Sequence, residues 1–306
     1  MLEINALRKA YGDHLALQGV SFTVPRGTCY GLLGPNGAGK TTTIFIITGT
    51  LDADSGSITL EGSPIGTGNL AIRRRIGYVP QDLALYEDIS AVDNLKFFGT
   101  LYGLSGAALD SKIEKGLELA GLKDRKKGPV KAFSGGMKRR LNIAAALLHD
   151  PDFIVLDEPT VGVDPQSRNL IFEALEALVA EGKTLLYTTH YMEEAERLCQ
   201  RAAIMDHGKV IAEGELSELH KIVPAEHMVH LQFKQRYTGS IDNIPGVRQA
   251  RYENGTLALE LTDISKDLNE ALAELSRRGA LISDIRSERP TLEEVFLHLT
   301  GRTLRD

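Results

Sequence analysis

Tryptophan is absent from the 306-residue chain, aromatic residues amount to only 6%, and cysteine occurs twice, at Cys29 and Cys199. Two thiols set in apolar stretches build neither a disulfide framework nor a metal site, and they read as buried structural groups. Long apolar runs are missing too. None approaches the ~18–20 residues that span a bilayer, so any membrane attachment has to come through another polypeptide. The first residues lack a basic segment leading into an apolar core, so no signal peptide is expected and the expected location is cytoplasmic. Positive charge is in deficit: a formal net charge of −6 argues against a nucleic-acid partner, which usually calls for a basic surface. No internal repeat or low-complexity tract interrupts the chain.

What remains is the composition of an ordinary globular protein, 42% apolar and 25% charged, long enough for one large domain or one domain and a smaller one. The most informative stretch is Gly34-Pro35-Asn36-Gly37-Ala38-Gly39-Lys40-Thr41-Thr42, which fits the phosphate-cradling pattern G-x-x-x-x-G-K-[ST]. Cys29 to Leu33 before it reads as a buried strand, and Thr43 to Ile47 after it as a helix ending at Gly49. Glycines let backbone N–H groups turn onto a polyphosphate, and the helix adds its positive N-terminal end. Lys40 can reach the β- and γ-phosphates, and the Thr41 hydroxyl can ligate Mg²⁺.

Along the chain, residues from Leu2 to Val24 read as strands, and from the phosphate loop to about residue 218 strands alternate with helices. Val20, Phe22 and Val24 alternate as in a half-buried sheet. Ser55–Gly62 and Ile76–Pro80 are short strands, and Phe153–Leu156 is a continuous apolar strand of the kind central parallel sheets use. Helical patterning covers Ser90 to Leu122, with Ser90 and Asp93 as its cap. Lys123–Lys131 reads as a solvated basic linker. Helices are expected from Ser134, from Asp164-Pro165 to about Ala180, and over Met192–Cys199. Strands are expected over Thr184–Thr188 and Ala202–Met205. This is an α/β pattern with a parallel sheet. After about Pro224 the pattern changes. Val229, Leu231 and Phe233 alternate, Asn254-Gly255 signals a hairpin, and Leu268, Ala271, Leu272 and Leu275 mark an amphipathic helix. A strand over Leu281–Ile285 and a helix capped by Thr291 and Glu294 follow. The expected organisation is one domain over residues 1–220 and a small α+β accessory domain over 225–306, with the boundary near 218–226.

Two further motifs carry chemistry. The strand Phe153–Leu156 delivers Asp157 and Glu158 at its end. Downstream of a phosphate loop, Asp157 is placed to bind Mg²⁺ and Glu158 to orient or deprotonate a water. Ser134-Gly135-Gly136 opens a helix whose free N–H groups suit a second anion site. One nucleotide has no need of two such sites far apart in one chain. Two copies facing head to tail do, each completing the other's site. A helix cap alone accounts for Ser134 but not for the paired glycines.

On these motifs residues 1–220 resemble the ATP-binding subunits of ABC transporters. The resemblance implies a P-loop NTPase core with an antiparallel β subdomain and a helical subdomain. It makes Gly34–Thr42 the Walker A loop and Ile154–Glu158 the Walker B strand with the catalytic glutamate. Phe133–Met137 becomes the signature loop, which differs from the usual LSGGQ at both ends but keeps Ser134, Gly135 and Gly136. Gln81 matches the loop glutamine that senses Mg²⁺ and the attacking water. Asp164 matches the loop that crosses the dimer interface, His190 the histidine at the γ-phosphate, and Tyr11 the aromatic that stacks on adenine. The implied cofactors are ATP and Mg²⁺. The implied partners are a second ATPase subunit and a membrane permease, with the chain peripheral on the cytoplasmic face. Gly162–Arg168 and Arg289–Phe296 are similar to daunorubicin-resistance-type multidrug exporters, which points toward export. A soluble ATPase of the same type in DNA repair or translation stays open as an alternative. So does a binding-only regulator, although Lys40, Gln81, Glu158 and His190 together speak against loss of catalysis.

Overall fold

The computed structural model describes residues 1–223, 227–253, 255–288 and 290–301. Pro224, Asn254 and Arg289, which mark a boundary, a hairpin and the closing motif in the sequence, lie outside the described residues. By backbone contacts the chain divides into two compact units, Met1–Leu216 joined by the described residues from Leu299 on, and Ser217–His298.

The larger unit is built on two sheets. An antiparallel sheet has β1 (Leu2–Tyr11), β2 (His14–Val24), β4 (Ser55–Leu60) and the short β5 (Ser63–Pro64) in the order β2-β1-β4-β5. The wider sheet takes β3 (Cys29–Leu33), β6 (Ile76–Val79), β7 (Phe153–Asp157), β8 (Thr184–Thr189), β9 (Arg201–Asp206) and β10 (Lys209–Glu215) in the order β10-β9-β3-β8-β7-β6. Pairings are parallel from β9 to β6, and β10 closes the edge antiparallel. Strands β3, β7 and β8 are buried along their whole length, as expected for parallel strands covered on both faces. The alternation seen in the sequence holds, with Val20, Phe22 and Val24 facing inward. They share one core with Tyr30, Val155 and Ile44 and Ile47 of α1 (Lys40–Ile47). The Phe22 and Tyr30 rings stack at 5.5 Å.

After the single-turn α2 (Leu70–Arg73) and β6, a helical layer follows, made of α3 (Ala91–Leu101), α4 (Gly106–Leu119) and α5 (Gly135–Leu147). Its core includes Leu95, Leu109, Ile113, Leu117 and Leu141. The stretch expected to be helical from Ser90 to Leu122 is thus two helices, separated at Tyr102–Ser105. Ser90 does cap the first, its hydroxyl accepting from the Asp93 N–H at 3.1 Å. The solvated linker expected over Lys123–Lys131 needs correcting. It contains short 3₁₀ turns, and Val130 is fully buried in the helical core while its N–H donates to the Ile89 carbonyl at 3.0 Å. One apolar residue among basic ones anchors the segment.

The chain then returns through β7, α6 (Pro165–Ala180), β8 and α7 (Met192–Leu198). Asp164 caps α6 by accepting from the Ser167 N–H at 2.9 Å, with Pro165 at the first helical position. Cys29 and Cys199 are buried, with sulfurs 3.6 Å apart.

The smaller unit begins within α8 (Leu216–Leu219). It is a four-stranded antiparallel sheet of β11 (His227–Phe233), β12 (Val247–Glu253), β13 (Thr256–Leu261) and β14 (Ile282–Glu288), ordered β12-β13-β11-β14. Val229, Leu231, Leu257 and Leu259 face Ala271 and Leu275 of α9 (Ile264–Arg277). The last helix, α10 (Leu292–Thr300), starts with a reciprocal cap. Glu294 accepts from the Thr291 N–H at 2.7 Å, and Thr291 accepts from the Glu294 N–H at 3.2 Å. No helix among the described residues is long and apolar enough to cross a membrane.

Candidate active site

The segment Gly34–Gly39 turns between the C-terminal end of β3 and the first residue of α1. Gly34 has to be glycine here: its φ is +145°, and a Cβ would lie 2.2 Å from the Met205 carbonyl oxygen. Lys40 is 5% exposed and curls inside the loop, its Nζ donating to the carbonyls of Gly34 at 2.7 Å and Pro35 at 3.2 Å. A cleft of about 250 Å³ opens above it. Asn36, Gly37, Gly39, Lys40, Thr41 and Thr42 form its floor, with Tyr11 on one wall and Gln81 and Glu158 also lining it. Pro35 and Ala38 shape the loop without lining the cleft.

β7 carries Asp157 and Glu158 to the same end of the sheet. Glu158 leaves the strand in the left-handed region, at φ +44°, a conformation that a non-glycine residue holds only when its surroundings fix it. Here the neighbouring strand does so. The Glu158 N–H donates to the Thr188 carbonyl at 3.2 Å and to the Thr188 hydroxyl at 3.1 Å. That hydroxyl in turn donates to Asp157 Oδ1 at 2.8 Å. Glu158 Oε1 then stands 3.4 Å from Lys40 Nζ and 3.1 Å from His190 Nδ1, although the latter contact lacks the angle of a hydrogen bond.

Burial sets the electrostatics. It pulls the Lys40 ammonium below the usual lysine range, against the opposing pull of the Glu158 carboxylate. It pushes the Asp157 carboxyl above its ordinary range, opposed by the Thr188 hydrogen bond and by Lys40. A buried carboxylate beside a phosphate loop is stabilised as the anion by a cation placed against it. Thr41, Asp157 and Gln81 offer the hard oxygen donors that Mg²⁺ takes, and Mg²⁺ needs only one or two carboxylates when phosphates and water complete its shell. The residues present therefore fit that ion.

Ser134, Gly135, Gly136 and Asp164 do not line this cleft. They meet one another instead. Ser134 caps α5, accepting from the Met137 N–H at 3.3 Å. A Cβ on Gly136 would fall 2.1 Å from Ser167 Oγ and 3.1 Å from Asp164 Oδ2, whereas a Cβ on Gly135 would meet nothing within 4 Å. The N-termini of α5 and α6 thus share one corner. Gly136 is needed for that packing, and Gly135 is sterically free.

Sequence reasoning missed three supports. Thr188 braces Asp157 and Glu158, and strand alternation from His190 would have placed it on the same face. Arg139, 6% exposed, donates to the carbonyls of Pro80 at 2.8 Å and Gln81 at 2.5 Å, fixing the Gln81 backbone from α5. His14 lines the cleft beside Tyr11 with no motif to mark it. A larger cavity of about 420 Å³ among α4, α5 and α6 has Asp150, Lys112 and Lys183 in its wall, where both lysines are engaged by the one carboxylate, at 2.8 and 2.7 Å.

The profile of the ABC transporter family matches residues 17–161, and that of the DrrA1-3-like ATP-binding protein C-terminal domain matches residues 214–300. The linearmycin resistance ATP-binding protein LnrL of Bacillus subtilis is 40% identical over 311 aligned positions, covering all of both chains. A Nod factor export ATP-binding protein I of Cupriavidus pinatubonensis is 42% identical, over all of this chain and 92% of its own. Among solved structures, an ATP-binding subunit of an ABC transporter superposes with a TM-score of 0.66 at 33% identity, covering 72% of this chain and 92% of that one. A dimeric post-hydrolysis ATP-binding cassette bound to ADP and Pi gives 0.65 at 26% identity, covering 71% of this chain and 99% of that one. A chain that aligns end to end with such subunits at 40% identity belongs with them, in the ABC transporter family, as a subunit that binds and hydrolyses ATP.

Proposed function

We propose that this chain is the ATPase of an exporter and works as a pair of copies beneath a separate membrane permease. The observation that carries hydrolysis is the position of Glu158, in the cleft between Lys40 and His190. Lys40 and the Gly37–Thr42 backbone hold the triphosphate, and Tyr11, half exposed at the cleft wall, stacks on adenine. Thr41, Asp157 and Gln81 would hold Mg²⁺, which when bound would neutralise charge developing on the phosphates. Glu158 orients and deprotonates the attacking water, and His190 positions it at the γ-phosphate.

The pairing rests on Ser134–Gly136. These residues stand away from their own chain's cleft, and Gly135 leaves the N–H groups of α5 open to approach. In the pair they close over the nucleotide held by the other copy, with Asp164 crossing the interface. Hydrolysis removes the anionic bridge, and the copies part. A dimeric relative bound to ADP and Pi supports this arrangement.

Export is supported by relatives whose names specify linearmycin resistance and Nod factor export. A surface for the permease is supported by the segment just beyond Gln81. Tyr86 and Phe97 are 52% and 41% exposed, their rings edge to face at 4.9 Å, with Ile89 also exposed nearby in sequence. An apolar patch of this kind beside a polar rim suits a protein partner. In this reading residues 1–220 are the ATP-binding domain and residues 225–306 an accessory domain, with the assembly on the cytoplasmic face of the membrane.

The test is capture of Glu158→Gln from detergent-solubilised membranes with ATP present. Expected are a stable ATP-bound pair, a hydrolysis rate reduced by roughly 10²–10⁴, and a co-purifying polytopic membrane protein. Recovery of ribosomes or DNA-repair proteins instead, or wild-type turnover, would refute the reading.

A further inference from the structure

Glu194, in the first turn of α7, is 4% exposed, yet it does not line the cleft. Taking a carboxylate out of water is unfavourable unless its oxygens are fully satisfied, and a plain packing site is better filled by an apolar side chain. Here three hydroxyls converge on it. Thr160 donates to Oε1 at 2.7 Å, and Tyr187 and Thr189 donate to Oε2 at 2.9 and 2.8 Å. Burial and the Glu194 charge push the Tyr187 phenol well above its usual range, so it remains a donor. The nearest cation, Arg168 Nε, is 3.9 Å away on a partly exposed side chain.

The donors come from two places that matter. Thr160 lies in the segment that leaves Glu158 and runs to Asp164. Tyr187 and Thr189 are on β8, immediately before His190. The Thr189 hydroxyl also accepts from the Tyr191 N–H at 2.9 Å. The backbone on both sides of His190 is therefore tied, through one hydroxyl, to Glu194. The same carboxylate holds the chain two residues beyond Glu158.

We propose that Glu194 is a positioning residue for hydrolysis, its carboxylate fixing the Thr160 and Thr189 hydroxyls so that Glu158 and His190 face one water. The proposal rests on the reading that Glu158 and His190 carry the hydrolytic step. Glu194 acts on the geometry of that step and not on the phosphate loop, so it governs turnover and leaves nucleotide affinity alone. Replacement by glutamine keeps the shape, but the amide nitrogen is a donor and cannot accept from hydroxyls, so the network has to rearrange.

The experiment is a double-mutant cycle in the full-length chain, with hydrolysis followed under single-turnover conditions and ATP affinity measured separately. Glu194→Gln is expected to lower turnover by about tenfold while the ATP Kd changes by less than about twofold. In a His190→Ala background the same substitution is expected to cost no more than about threefold, because the Thr189 arm then has no imidazole to position and only the Thr160 arm toward Glu158 is left. A merely structural role would impose the full loss in both backgrounds, and that result overturns the proposal. So does an altered Kd with unchanged turnover. If Glu194→Gln does not fold, Thr189→Val takes its place in the same cycle with the same expected pattern. Failure of the underlying reading looks different: Glu158→Gln and His190→Ala would themselves keep wild-type turnover. Failure of this inference alone leaves those two variants impaired and Glu194→Gln silent.

Discussion

Lys40 Nζ and Glu158 Oε1 stand 3.4 Å apart, with both side chains almost wholly buried. The cation comes from α1 and the carboxylate from the end of β7, and in the proposed reading both face one phosphate group. Neither residue is near the other in sequence. Removing Lys40 leaves a buried carboxylate without its cation and, in the proposed reading, takes away the charge that holds the phosphates. Lys40→Ala is expected to weaken ATP binding by roughly 10- to 100-fold, the range of charge-assisted hydrogen bonds. Titration calorimetry checks this, and an unchanged affinity would count against the loop's role.

Gly135 and Gly136 should behave oppositely. Gly136→Ala drives a methyl group into Ser167 and Asp164, where the ideal Cβ falls 2.1 Å from Ser167 Oγ. Overpacking of this kind costs about 1–3 kcal/mol, visible as a lower unfolding midpoint. Gly135→Ala meets nothing within 4 Å and should leave the midpoint unchanged. Its methyl group instead obstructs whatever approaches the α5 N-terminus, so ATP-dependent pairing by the Glu158→Gln chain should weaken. Equal stability losses in the two variants would contradict this division.

Asp150 gives a pH signature. Hydrogen bonds from Lys112 of α4 at 2.8 Å and from Lys183, just before β8, at 2.7 Å hold its carboxyl down at about 2, below the ordinary value of 3.8. A carboxyl depressed in the folded state adds stability above its unfolded pKa, and that contribution fades as pH falls from about 4 toward about 2. The carboxylate is more than half exposed, so solvent screening keeps the effect small. Asp150→Asn should flatten the acid limb of the stability curve between those values, followed by denaturant unfolding at a series of pH values. An acid limb identical to wild type would show that the two lysines contribute nothing.

The aromatic patch beyond Gln81, proposed above as the permease surface, allows partner binding to be tested apart from chemistry. Phe97 is 41% exposed and does not line the cleft. Phe97→Glu is expected to leave the ATPase rate of the isolated chain within about twofold, as surface substitutions usually do. Capture of a membrane protein from solubilised membranes should fall severalfold. Undiminished capture would place the docking surface elsewhere.

The parts of the site legible in the sequence are those whose chemistry is local. A phosphate loop needs its glycines, lysine and threonine in one turn, so Gly34–Thr42 declares itself. Ser134, Asp164 and Thr291 are legible as caps because a cap acts within three residues. Thr188, Arg139 and Glu194 were not legible, because each works across the fold. Thr188 faces Asp157 only through the register of β7 on β8. Arg139 reaches the Gln81 backbone only because α5 packs beside β6. Val130 was lost for the opposite reason: its basic neighbours suggested solvent, while a single buried side chain decides where that segment lies.

Helix α5 touches the working parts of the site at two points. Its first turn is wedged at Gly136 against Ser167 and Asp164, and one turn later Arg139 grips the carbonyls of Pro80 and Gln81. A shift of the Asp164 segment or of the Gln81 segment therefore moves a common body. Thermodynamic linkage then makes the relation reciprocal. In the proposed assembly, a permease that binds better when the Gln81 segment takes one arrangement would be bound more tightly on nucleotide closure at Gly136 by the same factor by which it favours that closure. A transported cargo that biases the permease would thus change the ATP affinity of this chain without touching it.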